Sequence, residues 1–213
     1  MLPILPPDAS SMDVEDFGGV DAGATIIPAL TSPTYQPHEC TKVRLIKCLL
    51  GFPPRLPPTS PLTTIASPPT SHNICWPFHG PRGTIGIRFP YGIFVSTSTI
   101  SLVQAEHLRH ASPWQLVLWG VIPKSKVDLM PMSCRQGNTS FPFQDDPSFF
   151  KQHALWLADW EVPGKDVLCA GTVIQSVCNT TVEAVVLEIR SNWGGSFTCI
   201  HHIHTYGRRA DYL

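Results

Sequence analysis

The stretch 182–207, VEAVVLEIRSNWGGSFTCIHHIHTYG, decides the fold. Val182, Ala184, Val186 and Glu188 fall on one face of an extended chain, and Val185, Leu187 and Ile189 on the other. Apolar residues on both faces predict a strand over 181–190 that is buried on both sides. A second strand is expected over 197–207, after Asn192-Trp193-Gly194. Working outward, the same reading gives strands over 84–89, 93–104, 114–122, 153–162 and 172–177. Many short strands with little helix predict an all-β, compact β-sandwich. One short segment, 41–52, reads as a helix or hairpin, stopped by Gly51 and Pro53-Pro54.

Composition fits a single domain. The chain has 213 residues, of which 43% are hydrophobic and 15% charged, with a net charge of −1. That is enough apolar material for a core and argues against global disorder. Lys and Arg form no run, so nucleic acid is not an expected partner. Fifteen of the 22 prolines precede residue 82, which excludes long helices and central strands there. Residues 1–15 read as a flexible leader, and 123–152 as a surface insertion too long for a hairpin loop. No apolar run approaches the roughly 18–20 residues that span a bilayer. The first residues lack a basic, then apolar, signal pattern.

Three of the nine histidines lie within four residues, beside Cys199. Zinc needs three or four converging ligands. On a strand, His202 and His204 share a face, while His201 points the other way with Cys199 and Ile203. Further ligands would have to come from His107, His110 or His153, with no spacing to guide the choice. Histidines on a half-exposed edge strand are the simpler reading, and no metal is expected. Nucleophile-elbow, HExxH, P-loop and GxGxxG motifs are absent, so the chain reads as non-enzymatic. Two sequons, at Asn138 and Asn179, and seven spaced cysteines lean toward a lumenal or extracellular setting. Cys75 and Cys199 sit in the first and last core strands, and either pair or stay as two buried thiols.

The segments CWPFHGPRGTIGIRF (75–89), VQAEH (103–107), ASPWQLVLWGV (111–121) and VVLEIRSNWGGSFTCIHHIHTYG (185–207) together resemble the SUN domain, and DAGATIIPALTSPTY (21–35) is similar to the opening of fungal SUN domains. The resemblance covers about residues 16–207, leaving 208–213 as a tail. Its structural motif residues fall on Trp76, Asn192, Trp193 and Gly194; the first motif reads Asn73-Ile74-Cys75-Trp76, one residue longer than usual. The resemblance implies a jelly-roll or discoidin-like sandwich at the lumenal end of an inner-nuclear-membrane protein. Such domains bind the C-terminal tail of KASH proteins in the perinuclear space, as the LINC complex that bridges nucleus and cytoskeleton. The family disulfide falls on Cys75 and Cys199. The lid, which adds a strand to the peptide, falls on about 36–58. A loop that in relatives holds a monovalent cation falls on about 64–75; no other cofactor is implied.

The peptide-binding positions fall on His107, Phe197 and His201, with Thr31 and Tyr35 in the opening segment. Phe197 and His201 stand where relatives carry tyrosines; His201 keeps a donor for a carboxylate. The cysteine that some relatives bond to the peptide falls near Thr31, so that bond is not expected. Relatives act as homotrimers through an upstream coiled coil, and reach the membrane through a further segment; neither lies in this chain. Two rivals stand beside this reading. One is a lumenal or secreted carbohydrate-binding sandwich using Trp114, Trp156 or Trp160, and the other a metal-dependent enzyme using the histidine cluster.

Overall fold

The computed structural model describes residues 15–35, 59–66, 74–102, 106–123, 125, 153–164, 169–174 and 180–210. The segment 41–52, the whole of the lid, most of the 64–75 loop and of the 123–152 insertion, and both sequon asparagines lie outside these residues.

The described strands are β1 (Glu15–Asp16), β2 (Thr25–Ile27), β3 (Trp76–His79), β4 (Gly83–Ser101), β5 (Pro113–Val121), β6 (Ala154–Glu161), β7 (Cys169–Val173), β8 (Val182–Asn192), β9 (Phe197–Ile200) and β10 (His202–Arg209). Short 3₁₀ turns cover Val20–Ala22, Pro28–Leu30, Pro61–Thr64 and Glu106–Ala111. The chain is an all-β sandwich. Its first layer runs β2–β4–β8–β5–β6 and its second runs β7–β4–β10–β1, with all pairings antiparallel. β3 and β9 form a separate two-stranded ribbon.

β4 belongs to both layers. Its first half pairs with β2 and β8 and its second half with β10 and β7. The expected strands 84–89 and 93–104 are therefore one 19-residue strand. Pro90 does not break it, because the pairing with β8 lapses between Arg88 and Ile93, where no ladder N–H is needed. β7 also lies a few residues earlier than the expected 172–177.

Two of the register shifts in the sheet help to set which side chains face the interior. Tyr206 pairs with Thr97 and Gly207 with Val95, so Ser96 is the extra residue. The interior residues accordingly switch from odd (Ile85, Ile87, Phe89, Ile93, Val95) to even (Ile100 and, just past the strand, Leu102). On β6, Leu118 pairs with Ala158 and Trp119 with Trp156, leaving Leu157 extra. Leu155 and Leu157 before the shift, and Ala158 and Val162 after it, all join the interior.

The interior between the layers gathers Ile85, Ile87, Leu116, Leu118, Val185, Leu187, Ile189, Ile100 and Ile203 around Trp76 and Phe78. The opposite face of β8 contributes Ala184 and Val186 to a second cluster with Leu30, Val117, Trp119 and Val121. β8 is thus buried on both faces, as its alternation predicts. Glu188, on that second face, is buried yet satisfied: Trp119 Nε1 donates to it at 2.9 Å and Arg190 Nε at 3.0 Å.

The expected strand 197–207 is in fact two strands. β9 pairs with β3, β10 pairs with β4, and His201 lies at the break. Gly207 allows the close approach at the Ser96 bulge: a Cβ there would stand 2.4 Å from the Phe94 carbonyl oxygen, which is backbone and cannot swing away. Gly207→Ala should therefore cost about 1–3 kcal/mol of unfolding free energy, measured by urea denaturation.

Candidate functional site

The β3–β9 ribbon carries the site. Trp76 and Phe78 point inward and are fully buried, with ring centroids 5.3 Å apart, and Trp76 Nε1 donates to Thr34 Oγ1 at 3.0 Å. Pro77 and His79 alternate to the other face, in register with Cys199 and Phe197. The segment before residue 36 runs beside β3: Thr34 bridges Phe78, and Tyr35 N–H donates to the Pro77 carbonyl at 2.8 Å. That places the Tyr35 ring parallel to Phe197, with centroids 5.3 Å apart and planes 5° apart, and 5.8 Å from the His79 ring. The result is a three-ring patch on the outer face of the ribbon.

Behind the patch, Cys75 and Cys199 form a disulfide with Cα atoms 5.5 Å apart, 124 positions apart in sequence. Both cysteines are buried with Leu108 and Ala111, and Phe197 packs against them. His201, buried at the β9–β10 break, donates from Nδ1 to the Ile74 carbonyl, and Thr59 Oγ1 donates to the Cys75 carbonyl at 2.6 Å. Thus Tyr35 meets Phe197, Phe197 packs on the disulfide, and His201 lies at the other end of the ribbon beside Ile74. Thr31 does not join them through its side chain: its hydroxyl donates to the Ile27 carbonyl at 2.8 Å and accepts from Gly86 N–H at 3.1 Å, tying β2 to β4. His107 lies in the Glu106–Ala111 turn; its side chain is outside the described residues.

The Asn192-Trp193-Gly194-Gly195 turn aims β9 at β3. Asn192 Nδ2 lies 3.0 Å from the Gly195 carbonyl, the Phe197 carbonyl and Thr198 Oγ1, while its Oδ1 accepts from Gly194 N–H. Gly194 has φ +96°, a left-handed conformation that disfavours side chains. Gly195 is needed for a different reason: a Cβ would meet the His110 and Phe197 carbonyl oxygens at 2.8 and 2.9 Å. Trp193 packs on Trp114 at 5.4 Å and is held by its N–H to the Ser112 carbonyl.

The other histidines form a separate cluster on the outer face of β10. His202 and His204 do share a face, with ring centroids 4.3 Å apart. They are not on a half-exposed edge, however: β10 lies between β1 and β4, and His202 is 3% exposed. His204 Nδ1 donates to Asp16 Oδ2 at 2.7 Å, and Asp16 Oδ1 accepts from Gly18 N–H and Thr205 N–H. Burial, reinforced by the neighbouring His204, pushes the His202 pKa down to about 4. For Asp16 burial works upward, but the His204, Thr205 and Gly18 donors outweigh it and hold the carboxyl below its ordinary value. Sequence reading missed Asp16, and also His79. The first is separated by 188 positions from its partner, so only the β1–β10 pairing reveals it.

Among the described residues no group of three or more His, Cys, Asp or Glu side chains is placed to hold a metal ion. The three tryptophans of the carbohydrate reading do not share a face. Trp156 is exposed, Trp160 packs against the interior, and Trp114 leans on Trp193.

No protein-family model matches the chain, and no curated protein matches it. Solved structures do match over nearly its whole length. A fragment of a putative chitobiase from Bacteroides thetaiotaomicron is 9% identical, with TM-score 0.55, covering 98% of this chain and 97% of its own. The family 32 carbohydrate-binding module of Streptococcus pneumoniae EndoD is 10% identical, with TM-score 0.51, covering 91% and 100%. Allantoicase from Saccharomyces cerevisiae is 11% identical, with TM-score 0.54, covering 93% of this chain and 49% of the enzyme. At such identities the likeness is one of fold.

Two outcomes follow from these contacts. Cys75→Ser/Cys199→Ser should lose about 5 kcal/mol of stability in the chain-entropy account, since the bond closes a loop of 124 positions; comparing urea midpoints of the variant and the oxidised protein measures it. The pH dependence has a definite sign. The folded pKa of His202 lies below the ordinary 6.5, so the unfolded chain takes up the proton first. The stability that depends on neutral His202 is whole above 6.5 and is lost as pH falls toward 4. Asp16 adds a loss below its ordinary 3.8. Urea curves should lose about 2–3 kcal/mol between pH 7 and 4, and His202→Gln should flatten that slope.

Proposed function

We propose that the chain is a non-catalytic SUN-type module that binds a peptide tail. The observation that carries this reading is the Tyr35–Phe197 stack over the disulfide-bonded β3–β9 ribbon, with His201 at the ribbon's end. These are positions to which the SUN resemblance assigns peptide binding and the family disulfide. The segment expected to add a strand to the peptide begins at residue 36, directly after Tyr35. An apolar slab of stacked rings suits the last side chains of a tail, and an imidazole suits its terminal carboxylate. The ligand is then the C-terminal tail of a KASH protein, and the setting the perinuclear space.

A second reading, a carbohydrate-binding module, draws on the fold shared with the EndoD module and with a Clostridium perfringens module solved with GalNAc-β-1,3-galactose, which is 7% identical with TM-score 0.53 over 90% of this chain. Its support is the fold; the scattered tryptophans do not add to it.

Calorimetry on the chain fused to a trimeric coiled coil separates the two. A KASH tail with a free C-terminus should bind saturably, at least about tenfold more weakly when amidated, because a charge-assisted hydrogen bond is lost. Phe197→Ala should weaken the same titration. No signal with any KASH tail, together with a saturable hit on a glycan array, would replace the peptide reading with the carbohydrate one.

A further inference from the structure

Ser96 on β4 and Leu157 on β6, the extra residues of two bulges, line one cleft of about 240 Å³. It opens where β4 crosses between layers, and Phe94 of β4 and Val182 at the start of β8 complete its apolar walls. Asn192, which organises the ribbon, lies at the far end of β8, so this cleft and the Tyr35–Phe197 patch are separate places. The cleft is built into the fold. Gly120 makes room for Leu157 and Val182, since a Cβ there would meet Val182 Cγ1 at 2.6 Å and Leu157 Cδ1 at 3.2 Å.

Arg208 and Thr180 supply donors at the cleft. Arg208 is exposed at its mouth, and among the described residues no hydrogen bond or ion pair engages its guanidinium. The Thr180 hydroxyl lies on the rim, half-buried. Ser96 Oγ donates to the Tyr206 carbonyl at 3.2 Å and keeps its lone pairs toward a further donor. Among the described residues no carboxylate lines the cleft. An apolar floor under an uncompensated guanidinium selects an anion with a short apolar tail. The volume is below the roughly 300–1,000 Å³ of pockets for drug-sized ligands, which limits the tail to a few carbons.

We infer that this cleft is a binding site for a small aliphatic monocarboxylate, held by Arg208 at the head and by Phe94, Leu157 and Val182 along the tail. The inference does not depend on the peptide reading.

The test is an amide-resolved NMR titration of the full, disulfide-intact chain with sodium hexanoate. Hexan-1-ol supplies the tail without the charge, and sodium acetate the charge without the tail. Hexanoate should shift the amides of 94–97, 180–182 and 208 saturably at concentrations up to about 10 mM, the range of weak small ligands. Hexanol, acetate and the Arg208→Gln variant should each bind about tenfold more weakly or less. Arg208 is exposed, so this variant keeps the fold, which its own spectrum verifies. Equal binding of hexanol, undiminished binding by Arg208→Gln, or no saturable shift at these amides overturns the inference.

Discussion

The sandwich depends on the continuity of β4. A single hydrogen-bonded strand pairs with four others, two in each layer, so the separation of the layers and the strand registers are fixed by one backbone. Continuity has a physical condition. The strand must turn from one layer to the other without leaving ladder groups unpaired in the interior, and it does so across Pro90-Tyr91-Gly92, where pairing with β8 lapses. The Ser96 bulge then corrects side-chain parity, so that Ile100 and Leu102 point inward as Ile85 and Ile87 do. Without that one extra residue, every side chain beyond it would face the wrong way.

Much of this was legible in the sequence, for local reasons. The double-sided burial of β8 follows from apolar residues at both parities; Trp76 lies in the interior, and Asn192 knots the turn into β9. What was not legible depends on long-range pairing. The stretch 84–104 reads as two strands, 84–89 and 93–104; only the lapse in pairing with β8 lets one strand run through Pro90 between them. The run from Phe197 to Gly207 reads as one strand because nothing in its composition marks His201 as the point where the chain changes sheets. His202 reads as a half-exposed histidine because its strand partner, Ser101 of β4, lies about a hundred positions away in sequence. The same limit applies to the site. Phe197, His201 and Tyr35 were named from the family resemblance, but that Tyr35 stacks on Phe197 follows from a backbone bond to Pro77 that no spacing announces. Thr31, named on the same basis, turned out to spend its hydroxyl on the β2–β4 junction.

The disulfide also has a mechanical meaning. Glu15 of β1 lies opposite Gly207 of β10, so the two ends of the folded domain leave it side by side. Tension applied between them does not shear the sheet; it unzips antiparallel pairs one after another, the weaker direction of loading. As β10 peels away from β4 the load arrives at Cys199, where the chain is covalently bound to Cys75. Everything between those two cysteines, which includes β4, β5, β6, β7 and β8, is then bypassed by the force. The bond acts as a mechanical stop. It sets a maximum length that can be drawn out of the domain, and it keeps the shared strand on which both layers depend outside the path of the load.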